Sequence, residues 1–290
     1  MRQQAQNNTQ QSSNSAAGAQ PRIAKLHMLY EMVAALVADN DAAIDALKTG
    51  HARGPQTGIA PLDKALGGFL ETGLHILQAT PGAGKTALGL QIASDCGFPA
   101  LYVSAEMPVL ELFRRLIARQ TNTFLGKLKG ELSSPDIKRL ALLAIENLKH
   151  MAIMDATAGI ADVDFIRLTV ENMKATYQAK TALVIIDSLH VWARALNRGV
   201  SGEFEIISEG TRQATELAAI LDAPILAICH RNREGNKSKT GAGLHSARGS
   251  GDIEYEAWTV LDLNRDMDQR EDSNGEIDVT MRFYRTEATA

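Results

Sequence analysis

The chain has 290 residues, 45% apolar and 22% charged, with 30 Lys and Arg against 34 Asp and Glu for a net charge of −4. A chain this long buries a sizeable core as one large domain or two small ones, and the composition is that of a soluble globular protein. The charge balance excludes a surface that is basic throughout, so any contact with nucleic acid must come from a local patch.

The two cysteines, Cys96 and Cys229, stand far apart. That excludes a disulfide framework and a cysteine-built zinc finger, and it suits a reducing cytosol. Apolar runs such as 182–186 are far short of a membrane span, and the polar first residues carry no secretory pattern.

Residues 1–20 hold six Gln, three Asn and three Ser and no acid, so a disordered polar tail is expected over 1–21. Over 22–53, Leu26, Leu29, Val33, Leu36 and Val37 fall on one face of a helix, which Gly50, Gly54 and Pro55 end. Such a linker helix either packs on its own domain or docks on a neighbouring subunit.

Residues 54–290 read as one domain. The apolar runs 74–79, 100–104, 151–154, 182–186 and 224–229 are expected strands. Helical faces lie between most of them: Val109, Leu112, Phe113, Leu116 and Ile117; Ile137, Leu140, Ala141, Ala144 and Leu148; Phe165, Thr169, Met173 and Tyr177; and Ile207, Ala214, Leu217, Ala218 and Leu221. Continuous apolar strands alternating with helices predict an α/β fold, with a mainly parallel sheet flanked by helices. The runs 258–263 and 277–284 have no helical pattern between them and predict a C-terminal antiparallel hairpin joined by a solvated acidic loop.

The segment Thr80-Pro81-Gly82-Ala83-Gly84-Lys85-Thr86-Ala87 follows the first strand and opens a helix. With Ala79 before it, it meets the phosphate-loop pattern except that the first glycine is Ala79. Gly82 and Gly84 let the backbone curl into a nest of inward N–H groups, and the helix N-terminus adds to the same positive field. Lys85 is placed to reach the β- and γ-phosphates of ATP, and the Thr86 hydroxyl to bind Mg²⁺. Asp187 ends the apolar strand Val184-Ile185-Ile186, where a carboxylate would hold the same Mg²⁺ through water. Glu106 follows another strand end and is the candidate to polarise the attacking water.

Taken with Thr57-Gly58, Leu62-Asp63, Leu66-Gly67-Gly68, Ser104-Ala105-Glu106-Met107, Asp187-Ser188-Leu189 and Arg248-Gly249-Ser250-Gly251-Asp252-Ile253-Glu254, the phosphate loop resembles the RecA-like P-loop ATPase core of DnaB-type replicative helicases (superfamily 4). It is also similar to the RadA and KaiC branch and to plasmid RepA-type helicases. The resemblance implies ATP hydrolysis between subunits of a ring, usually a hexamer, acting on single-stranded DNA in replication or repair. The alternative is a regulatory or recombination ATPase of the KaiC and RadA kind, without unwinding. It further implies Glu106 as catalytic glutamate and His230 as sensor of the γ-phosphate, a position usually held by Gln. His230 otherwise reads as a buried structural residue. Arg285 is the candidate arginine finger, with Arg282 second, although the spacing departs from the helicase pattern.

In such a ring two loops would face the channel. One, 192–202, contains Arg194 and Arg198. The other, 231–251, contains Arg231, Arg233, Lys237, Lys239 and Arg248 against Glu234 alone. Its cations and its Gly, Ser and Asn residues suit tracking of a DNA backbone without base readout. An ordinary solvated basic loop is the plainer reading of the same residues.

Overall fold

The computed structural model describes residues 26–231, 256–265 and 279–285, the backbone alone for 265 and 279–285. The chain divides into two compact units, Met1–Gly50 and His51–Ala290. In the first, helix α1 (Met32–Thr49) follows a 3-10 turn at Leu29–Glu31 and ends at Gly50 in the left-handed region. Leu26, Leu29, Val33, Leu36 and Val37 are all exposed.

The second unit is built on a seven-stranded sheet. Its strands are β1 (Gly73–Ala79), β2 (Ala100–Ser104), β3 (Met151–Asp155), β4 (Leu183–Asp187), β5 (Pro224–His230), β6 (Thr259–Arg265) and β7 (Val279–Arg285), in the order β3-β2-β4-β5-β1-β6-β7. The first six in that order are parallel, and β7 pairs antiparallel with β6, Thr259 opposite Arg285 and Asp262 opposite Arg282. The residues joining β6 to β7, with the expected acidic loop, lie outside the described residues, as does the 1–21 tail.

Alternation along each central strand feeds two separate cores, because successive side chains leave a strand on opposite faces. Ile76, Val184, Ile186 and Ile225 join Ile166, Trp192, Ala214 and Leu217 on one face. Leu77, Leu183, Ile185, Leu226 and Ile228 join Leu90, Leu112, Leu116 and Ala144 on the other. Helices α6 (Val163–Tyr177), α7 (Leu189–Leu196) and α8 (Glu203–Leu221) cover the first face. Helices α2 (Ala60–Ala65), α3 (Lys85–Asp95), α4 (Val109–Gln120) and α5 (Ser134–Asn147) cover the second. Local signals start several of these: Ser133 accepts from Asp136 N ahead of α5, and Asp162 accepts from Phe165 N at 2.7 Å ahead of α6.

Two expectations are corrected. The inward face of α6 is Ile166 and Val170, with Val163 and Met173 beside them, and not Phe165, Thr169 and Tyr177. Phe165 and Tyr177 are exposed, and Tyr177 rests its hydroxyl on the Lys149 carbonyl. A four-residue spacing fits two adjacent stripes of one helix equally well, and here the compact branched pair is the one that meets the sheet. The segment expected as the first channel loop is helical up to Leu196, because Trp192 is a core residue whose indole donates to Ala161 O at 2.7 Å.

Candidate active site

The carboxyl ends of β1, β5, β4 and β2 lie side by side. Ala79 is in register with His230, and Asp187 with Ser104. Every candidate of the nucleotide site except Arg285 therefore leaves the same edge of the sheet, where ligands of open parallel sheets bind.

After β1 the chain turns through Thr80–Gly84, with Ala83 N donating to Thr80 O and both Gly82 and Gly84 at positive φ. At Gly82 and Gly84 a Cβ would meet no atom within 4 Å, so backbone conformation and not space requires glycine there. Helix α3 begins at Lys85, with Thr86 and Ala87 in its first turn. The buried Lys85 ammonium donates to Ala79 O at 3.1 Å and Thr80 O at 3.2 Å, which holds it across the mouth of the loop. Burial lowers its pKa, opposed by the charges of Asp187 and Glu106.

Thr86 Oγ1 donates to Asp187 Oδ2 at 2.8 Å. Burial raises the Asp187 pKa, while hydrogen bonds from Tyr102 and Thr86 act against that. A hydroxyl and a carboxylate oxygen in contact, with a cation next to them, form a hard oxygen set that fits Mg²⁺ bound together with phosphates.

The turn carrying Glu106 is pinned on both sides: Ala105 N donates to Asp187 O at 2.7 Å, and Ser104 Oγ to Met107 O at 2.6 Å. The Glu106 carboxylate accepts from Ser188 Oγ and lies 3.2 Å from His230 Nε2. The His230 contact leads in lowering its pKa to about 2, with Ser188 and the Lys85 charge adding to it. His230 in turn has the buried His190 beside it, ring centroids 6.1 Å apart. The partnership of Ser188, His190 and Tyr102 with the site was not read from the sequence. The available signal was a hydroxyl directly after Asp187 and another inside an apolar strand.

The remaining candidates scatter. Arg194 is exposed on α7 and paired with Glu203 at 2.6 Å, and Arg198 is exposed beyond the helix end. Arg231 is corrected: it is buried at the end of β5, ion-paired with Asp262 and donating to Asn264 Oδ1 at 2.6 Å, rather than presented by an open loop. Asp262 is also fully buried, so the pair acts inside the fold. Arg233, Lys237, Lys239 and Arg248 lie outside the described residues. The backbone places Arg285 opposite Thr259, whereas Leu263 registers with Ala79. Arg285 is thus at the far end of the sheet from this chain's own phosphate loop. Among the described residues no helix is long and apolar enough to cross a membrane.

Residues 54–288 match the family model of the DnaB-like helicase C terminal domain. The replicative DNA helicase DnaB of Treponema pallidum is 31% identical over 228 residues, covering 75% of this chain and 49% of that protein. The DnaB of Geobacillus stearothermophilus is 28% identical over 233 residues, covering 78% and 50%. The chain thus spans about half the length of these relatives. Among solved structures, an isolated ATPase domain superposes with a TM-score of 0.72 at 19% identity, covering 91% of this chain and all of that one. A DnaB-like replicative helicase studied with primase gives 0.69 at 22% identity, covering 89% and 64%. A KaiC-like protein of Pyrococcus horikoshii gives 0.51 at 19%, covering 82% and 91%. With the family pattern matched over most of its length and the RecA-like fold shared, this chain belongs to the DnaB-like helicase C-terminal domain family.

Proposed function

We propose that the chain is the ATP-hydrolysing motor of a ring-forming helicase that moves along single-stranded DNA in the cytoplasm, in replication or repair. One observation carries this: Lys85, Thr86, Asp187, Glu106 and His230 converge at one edge of the parallel sheet. In this reading the N–H nest of 80–87 and Lys85 hold the phosphates. Thr86 and Asp187 hold Mg²⁺, which would neutralise charge on the β- and γ-phosphates. Glu106, an ionised carboxylate at every working pH, orients and polarises the attacking water. His230 is the residue through which the γ-phosphate would be sensed, since a ring nitrogen on Glu106 can exchange to a phosphate oxygen.

A ring completes the site, because Arg285 is remote from its own phosphate loop and would act on a neighbour's. The exposed apolar face of α1 supplies a surface for docking on a neighbouring subunit in a hexamer. Arg198 and the basic residues of 233–248 are the proposed DNA contacts, with Arg194 joining them if it leaves Glu203. The test is steady-state ATP hydrolysis with and without single-stranded DNA at several salt concentrations, beside Lys85→Ala. Stimulation that weakens with salt supports the motor. Hydrolysis indifferent to DNA at low salt would overturn it in favour of a KaiC- or RadA-like ATPase without unwinding.

A further inference from the structure

Tyr102 sits in the middle of β2 with its side chain fully buried, and its hydroxyl is the one polar side-chain group in the run Ala100–Val103. It is not there to fill space, since phenylalanine would do so without burying a hydroxyl. The hydroxyl donates to Asp187 Oδ2 at 2.6 Å, the same oxygen that Thr86 reaches at 2.8 Å. Helix α3 packs over the ring at Gly89, where an added Cβ would lie at ordinary contact distance, 3.5 Å, from the Tyr102 hydroxyl and ring edge and would crowd Ile228 Cδ1 at 2.8 Å.

We propose that Tyr102 is a positioning residue for the magnesium site, holding the Asp187 carboxylate by Oδ2 so that Oδ1 is left for a metal-bound water. The inference rests on the nucleotide reading above. Thr86 is itself a proposed metal-site residue, and its hydroxyl oxygen would also serve as a ligand to Mg²⁺. Tyr102 has no such second task, so it is the donor that fixes the carboxylate rotation before and after loading. Partners that orient a metal-binding carboxylate in this way tune metal affinity strongly.

The test compares the full chain with Tyr102→Phe by titrating MgCl₂ against a fluorescent ATP analogue, with nucleotide binding in EDTA as the baseline and thermal melting to confirm that both fold. We expect the Mg²⁺ concentration at half-saturation to rise about tenfold in Tyr102→Phe, with binding in EDTA unchanged. The same change made on Asp187→Asn should have no further effect, because the carboxylate it positions is gone. An unchanged Mg²⁺ midpoint, or an equal loss in the Asp187→Asn background, would make Tyr102 a core residue only. Failure of the unaltered chain to bind nucleotide in a Mg²⁺-dependent way would instead overturn the nucleotide reading, and this inference with it.

Discussion

His230 Nε2 lies 3.2 Å from Glu106 Oε1, joining the end of β5 to the turn after β2 across the end of β4. The carboxylate proposed to act on water is therefore already engaged by the residue proposed to sense the γ-phosphate. Removing Glu106 should stop the chemistry while sparing nucleotide binding. For Glu106→Gln we expect hydrolysis to fall by about 10²- to 10⁴-fold with the affinity for Mg-ATP within a few-fold of the unaltered protein. Single-turnover hydrolysis and equilibrium nucleotide binding measure the two separately.

The same contact has a pH signature. Hydrogen bonds that favour the charged form hold the Glu106 carboxyl at about 2, and His230 is the largest contributor. His230→Ala removes that donor, so the carboxyl pKa should move up toward its usual value of 4.5 and Glu106 should begin to protonate between about pH 5 and pH 3. Carbon-13 NMR of the Glu106 carboxyl follows this directly. A carboxyl still fully ionised at about pH 3 in the variant would show that Ser188 and Lys85 hold it without His230.

His75 offers a separate acid sensitivity, located in the fold and away from the site edge. It is buried in β1, with Nε2 2.8 Å from Glu71 O, and burial lowers its pKa from 6.5 to about 4. The unfolded chain protonates first as pH falls, so stability is full above about 6.5 and declines through the window down to about 4. The loss attributable to this group is on the order of 3 kcal/mol. Urea unfolding at about pH 7, 5.5 and 4.5 should show this slope, and His75→Leu should flatten it.

Arg231 and Arg198 should separate stability from DNA binding. Arg231 and Asp262 form a buried pair, so Arg231→Ala strands a buried carboxylate and should cost about 3–5 kcal/mol in unfolding free energy. Exposed Arg198 should leave unfolding unchanged on replacement by Ala. It should instead weaken single-stranded DNA binding and reduce the steepness of its salt dependence by about one unit. Urea unfolding and salt-dependent fluorescence anisotropy check the two.

The exposed face of α1 predicts assembly behaviour. Val33→Glu with Leu36→Glu places two charges where a subunit contact is proposed, and should shift the mass measured by light scattering toward smaller species. Hydrolysis should fall with it, since Arg285 would lose its neighbour. Retention of a full ring by the double variant would remove α1 from the interface.

Much of this molecule is legible residue by residue. A run such as Val184-Ile185-Ile186-Asp187 announces a strand buried on both faces with an acid at its ligand edge. The glycines, lysine and threonine of 80–87 announce a phosphate nest, because backbone conformation and local charge are set within a few neighbours. Three-dimensional packing decided the rest. Whether α6 turns Phe165 or Ile166 inward depends on the sheet surface beneath it, and Trp192 draws an expected loop into a helix because its indole meets a carbonyl 31 residues away. Arg231 is a basic residue in the sequence and a buried partner of Asp262 in the fold. Ser188 on Glu106 and Tyr102 on Asp187 are pairs 82 and 85 residues apart. Each is a hydrogen bond between groups that only the parallel ordering of β2 beside β4 brings within reach, and no local pattern encodes that neighbourhood.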